Sequence, residues 1–180
     1  MSLEVTGMKE VFLRSLTVTV ERSLEILASH TEAWLDLVAH AVDPNPFYEP
    51  HTLLAALRLL PEGRNVELVL VWALSPELTQ PGVLVGLFPL TRHVRYKGLP
   101  LTALGTWTHL YSYLGTPLVR AGYATGVLDA FFNWLRGAAG ASLFVWDTIT
   151  ADTAFYQALK DTLKRRALGI FQEKSHTRAL

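Results

Sequence analysis

The period of apolar and polar positions changes several times along the chain, and each change marks an element. Val11 to Val20 alternates in a β-branched setting, which predicts a first strand. From Ser23 the spacing turns helical: Leu24, Leu27, Trp34, Leu35 and Val38 recur three and four apart, with Thr31 as the expected N-cap of a helix ending near His40. Asp43-Pro44-Asn45-Pro46-Phe47-Tyr48-Glu49-Pro50 then breaks the pattern, because proline cannot continue a helix and biases its predecessor toward extended geometry. A second helix is predicted over His51 to Leu60, stopped by the turn signal Pro61-Glu62-Gly63-Arg64-Asn65.

Val66 to Leu74 and Val83 to Val94 read as two apolar strands joined by a proline-rich loop, an antiparallel hairpin. The chain then stays extended from Thr106 to Arg120, with Gly105, Gly115 and Pro117 as bends. Thr125 to Arg136 is an amphipathic helix with Val127, Leu128, Phe131, Trp134 and Leu135 on one side and Gly137 near its end. Ser142 to Ile149 is the next strand, Asp152 the expected cap of a helix running to about Ala167, and Ile170-Phe171 the start of a final strand. The order is strand, two helices, three strands, helix, strand, helix and a further strand. It predicts an α/β (α+β) domain over residues 1–180, with a mixed, largely antiparallel sheet of about six strands flanked by helices.

Composition narrows the class. Half of the 180 residues are hydrophobic and 18% are charged, enough for a buried sheet and too little charge for a disordered chain. Lys plus Arg equals Asp plus Glu, so no overall field selects nucleic acid or an anionic membrane. The absence of cysteine excludes disulfides, thiolate zinc sites and a cysteine nucleophile. The longest apolar runs fall well short of the roughly 20 residues of a membrane helix. The opening residues lack the pattern of a signal peptide, and a cytoplasmic protein is expected. Met8 offers a second start.

The candidate chemistry lies in the most aromatic segment. If Thr106 to Tyr113 is extended, Trp107, His109, Tyr111 and Tyr113 share one face, because strand side chains alternate. His109, with a free pKa of about 6.5, suits a general base; the alternative is a buried histidine with satisfied hydrogen bonds. The aromatic residues suit a flat ligand or a domain interface. Asp147 stands at the end of its strand, where α/β sites are commonly built; the alternative is a turn carboxylate. Ser112 is flanked by tyrosines rather than the glycines of a nucleophile elbow. The six histidines form no ligand-type pair, so no metal is expected.

This element order is similar to that of the GNAT N-acyltransferase superfamily. Asp43 to Pro50, Tyr111 to Val119 and Phe144-Val145-Trp146-Asp147 resemble the first half of the tandem-GNAT proteins known as cellulose-biosynthesis or FemAB-like acetyltransferases. The resemblance implies transfer of an acyl group to an amine, and in that family a second half usually holds the donor machinery. The GNAT phosphate signature is Gln or Arg, two residues, Gly, one residue, Gly or Ala, between a strand and a helix; its amides meet the pyrophosphate at the helix N-terminus. Arg120-Ala121-Gly122-Tyr123-Ala124-Thr125-Gly126 occupies that place, with Arg120, Gly122 and Gly126 as the implied cofactor residues. Tyr123 and Thr125 stand where the signature has small residues. The resemblance also implies Tyr156 as the acid that protonates a leaving thiolate.

Two functions follow as expectations. One is a non-catalytic or acceptor-binding half that requires no cofactor of its own and pairs with a second GNAT-like half or a copy of itself. The other is a standalone N-acetyltransferase using acetyl-CoA, with Tyr156, His109 and Asp147 handling protons.

Overall fold

The computed structural model describes residues 15–74, 82–137, 139–173 and 175. In chain order the elements are β1 (Leu16–Glu21), α1 (Leu24–Ser29), α2 (Thr31–Ala39), α3 (Pro50–Leu59), β2 (Val66–Ala73), β3 (Val83–His93), β4 (Ala103–Thr106), β5 (Leu118–Val119), α4 (Ala124–Gly137), β6 (Leu143–Val145) and α5 (Ala154–Arg165). Short 3₁₀ turns, Pro46–Tyr48 and Pro61–Asn65, flank α3. The strands form one open sheet in the order β1-β2-β3-β4-β6, with β5 also paired to β3. Every pairing is antiparallel except β4 with β6. The mixed, largely antiparallel six-stranded sheet expected from the sequence is therefore present.

Helices cover both faces, which is why β2 and β3 read as unbroken apolar runs rather than alternating ones. Val69, Val71, Phe88 and Leu90 pack toward α4 and α5 with Val127, Phe131, Phe155 and Leu159. Leu68, Leu70, Leu84 and Leu87 pack toward the first three helices with Trp34, Leu37, Leu53 and Leu57. Opposite Val71 and Trp72 the register skips Val85, a bulge in β3. Beside it, a Cβ on Gly86 would lie 2.7 Å from Val127 Cγ1, so α4 crosses the sheet where no side chain intervenes.

One feature of β3 shapes the site. β4 and β5 lie along the same edge of β3, Thr106 opposite Leu90 and Leu118 opposite Leu87, so together they are one strand interrupted by residues 107–117. The N–H and C=O of a strand residue point to the same side. Pro89 accepts from the Trp107 N–H at 2.8 Å and has no N–H to return, and there the chain leaves the ladder. Pairing resumes at Leu118, opposite Leu87, and continues to Arg120, whose N–H donates to Val85 C=O at 2.9 Å.

Several sequence expectations are corrected. The first strand begins at Leu16 among the described residues; the Val11 to Arg14 part of the expected strand lies outside them, as does the loop at 75–81. Three helices replace two: Ser23 caps α1, and Thr31 is the first residue of α2, its hydroxyl donating to Ala28 C=O rather than capping. Helix α4 starts at Ala124, one residue before the expected Thr125. Thr153, not Asp152, caps α5, accepting from Tyr156 N–H at 3.3 Å. Ile170 and Phe171 are exposed coil rather than strand.

Candidate functional site

β4 and β6 are parallel neighbours, and the crevice beyond the carboxyl ends of such strands is where α/β folds commonly bind ligands. Two segments of this chain meet there. The first is the 107–117 excursion. Trp107 is 3% exposed, its ring in the core beneath the first helices, and its carbonyl accepts from the Tyr48 hydroxyl at 2.7 Å. Thr108 Oγ1 donates to Asp147 Oδ2 at 3.0 Å. On the return leg, Gly115 N–H donates to Thr148 C=O at 2.9 Å and Thr150 N–H to Thr116 Oγ1 at 3.4 Å. Gly115 is pressed so closely on the Asp147 carbonyl oxygen that a Cβ would overlap it.

The second segment is Ala41 to Tyr48, most of the proline-rich stretch. Val42 N–H donates to Val119 C=O at 2.8 Å and Ala41 bridges Arg120, so this segment lies along the outer edge of β5. Asn45 is buried; its amide nitrogen donates to the carbonyls of Leu114 (3.2 Å) and Thr116 (2.6 Å), and its Oδ1 accepts from Phe47 N–H. Asp43 Oδ2 accepts from Phe155 N–H at 3.3 Å, in the first turn of α5. The prolines keep the stretch out of a helix, and its polar side chains bind the excursion in place.

The aromatic residues are not on one strand face as expected: the chain turns at Leu110–Tyr111. Proximity survives in part. The rings of Trp107 and His109 are 4.9 Å apart and those of His109 and Tyr111 6.2 Å apart, while Tyr113 meets Phe47 edge-on at 5.5 Å. His109 Nδ1 accepts from Tyr111 N–H at 3.2 Å, which leaves the proton of the neutral ring on Nε2. Partial burial holds the His109 pKa below 6.5, against an opposing field from Glu62. The ring thus presents a donor at Nε2. Tyr48 is pushed far above the usual tyrosine range by burial and then by the Asp147 charge, so its hydroxyl stays a donor.

Asp147 follows β6 and is exposed; Thr108 and Thr148 donate to its two oxygens, and its amide donates to Thr106 Oγ1 at 2.8 Å. Tyr156 lies on α5 beneath the Lys160 ammonium, 4.9 Å from the ring centroid, and among the described residues no hydrogen bond or ring contact joins it to His109 or Asp147. Arg120 turns to α2, where it pairs with Asp36 at 2.6 Å. Gly122 has φ +80°, a conformation that favours glycine, two residues ahead of α4. Gly126 lies inside α4, where an added Cβ would approach Leu16 of β1, so it serves helix-to-strand packing. Anchoring the phosphate signature on Gly122 rather than Arg120 gives Gly122-Tyr123-Ala124, small residues at the first and third positions, with Val119 in place of Gln or Arg.

Among the described residues no group of three or more His, Asp or Glu is placed to hold a metal. None of their helices is long and apolar enough to cross a membrane. Fold and site define a mixed α/β domain with an open six-stranded sheet whose carboxyl-end crevice is occupied by its own chain. No protein-family model matches the sequence, and no curated protein matches it. Among solved structures, the chain is similar to an acetyltransferase of Trypanosoma brucei at 14% identity and a TM-score of 0.45, over 92% of this chain and 99% of that one.

Proposed function

We propose that this chain is a GNAT-type acyltransferase-like domain acting as the non-catalytic, acceptor-binding half of an N-acyltransferase, with the donor machinery on a second GNAT-like half. The supporting observation is the filled crevice: Ala41–Asn45 takes the outer edge of β5, and Gly115 lies against Asp147 with no room for a methyl group. A donor seated between β5 and β6 would have to displace both segments and their hydrogen bonds. What stays accessible is the far side of the excursion, where Tyr111, Tyr113 and the His109 Nε2–H offer aromatic faces and a donor on a pinned loop. Such a surface orients an acceptor; it does not supply an acyl group.

A standalone acyl-CoA-dependent N-acetyltransferase is the second reading, favoured by the left-handed Gly122 two residues ahead of α4, a turn that exposes backbone amides at a helix N-terminus. Calorimetry of the purified chain with acetyl-CoA separates the two. The first reading expects no saturable heat. Micromolar binding that disappears on Gly122→Trp would establish the second and overturn the first.

A further inference from the structure

The zero net charge of the chain hides a polarity. Its first 80 residues hold 11 Asp and Glu against 5 Lys and Arg, and its last 100 hold 5 against 11. In the fold, two apolar patches of opposite charge lie at the two ends of β4. At its carboxyl end, Leu110, Tyr111 and Tyr113 of the excursion are 82%, 64% and 57% exposed. Near them stand Asp147, bonded to Thr108, and Glu62, whose field reaches His109. Neither carboxylate is in an ion pair among the described residues, although Arg64 is a counter-charge in the turn of Glu62.

At the amino end of β4, the β3–β4 hairpin presents Val94 at 75% exposure beside Arg95, and Leu99. The Lys97–Glu173 ion pair, 2.6 Å, fastens the segment after α5 to this hairpin, bringing Phe171, 89% exposed, to the same end. Helix α5 also ends here, with Lys164 in its last turn. This end is therefore apolar and basic, the other apolar and acidic.

We infer that the chain associates head to tail with further copies of itself, the excursion patch of one copy seated on the hairpin patch of the next. One copy cannot satisfy itself, because the patches occupy opposite ends of one strand. Exposed apolar side chains supply the contact, and opposite charges set its orientation and oppose the like-to-like, two-fold arrangement. A contact between two different patches is heterologous, so each added copy leaves one patch of each kind free. The association rests on surface chemistry and not on the acyl-transfer reading, but it covers Tyr111 and Tyr113, the surface offered there to an acceptor, so a seated copy and an acceptor exclude each other.

Sedimentation velocity at about 50 mM and about 500 mM salt, where screening differs several-fold in range, reads this directly. Wild type is expected to sediment faster with rising concentration at low salt and to return toward monomer at high salt. Leu110→Arg and Val94→Glu, both at exposed positions, each block one patch and are expected to leave mostly monomer with an unchanged far-ultraviolet circular dichroism spectrum. Mixed in equal amounts they form a 1:1 pair, because the intact hairpin of the first meets the intact excursion of the second. Monomeric wild type at about 1 mM and low salt, wild-type association of both variants, or a mixture that stays monomeric would each overturn the proposal.

Discussion

The Val42 amide donates to the Val119 carbonyl at 2.8 Å, which makes the chain's own Ala41–Asn45 segment the outer neighbour of β5. An unpaired strand edge offers a row of donors and acceptors to any ligand or chain that can reach it. Here the row is used internally, and the residues that fix it are the polar members of a proline-rich stretch.

Asn45 is the central clamp, since one buried side chain donates to two carbonyls of the excursion and accepts from Phe47 N–H. Asn45→Ala leaves two carbonyls and an amide without that partner. We expect a loss on the order of 2–3 kcal/mol, read by urea unfolding. A loss below about 0.5 kcal/mol would mean that water or a rearranged loop replaces the clamp at no cost.

Tyr48→Phe removes one hydroxyl and leaves the Trp107 carbonyl without its donor at a buried residue. The expected cost is about 1–3 kcal/mol. Alkaline spectrophotometric titration of the wild type checks the companion claim: burial and the Asp147 charge both oppose ionisation, so Tyr48 should be the last tyrosine to ionise. Titration of Tyr48 alongside the exposed tyrosines would contradict it.

His109 should titrate below 6.5 in the folded protein, with burial as the main cause. Between that depressed value and 6.5 the unfolded chain binds more protons than the folded one. The His109 contribution to stability is therefore full above 6.5, falls as pH drops through it, and levels off below the folded pKa. Protonation at Nδ1 also breaks the bond from Tyr111 N–H. Histidine NMR should show the low pKa, with the Tyr111 amide shift moving in step; a titration at or above 6.5 would contradict this.

The sheet was legible in the sequence because β2 and β3 are long, apolar and bounded by Pro and Gly, and α4 because its apolar stripe keeps helical spacing. The interruption between β4 and β5 was not read, although Pro89 signalled it: a proline inside a strand removes a ladder donor, and the chain departs at that point. The break at 30–31 was hidden because Leu24 to Val38 keeps one helical period across it. At the site, the aromatic residues were legible as a group, but their geometry was read from strand alternation where the chain in fact turns. Asn45, Tyr48 and Thr108 went unread because their roles depend on partners distant in sequence, 59 residues away for Tyr48 and 71 for the Asn45 bond to Thr116. Arg120 misled by its type: it matches a signature position but is engaged with Asp36.

The most direct test of the filled crevice is an NMR titration of the chain with acetyl-CoA, following the amides of Val42, Gly115, Gly122 and Ala124 with their hydrogen-exchange rates. If Ala41–Asn45 and the excursion occupy the donor's place, the Val42 and Gly115 amides exchange slowly and none of the four moves up to about 1 mM ligand, a concentration that would reveal even millimolar affinity. Saturable shifts at Gly122 and Ala124, accompanied by loss of protection at Val42 and Gly115, would contradict it and show that the crevice opens to take the donor.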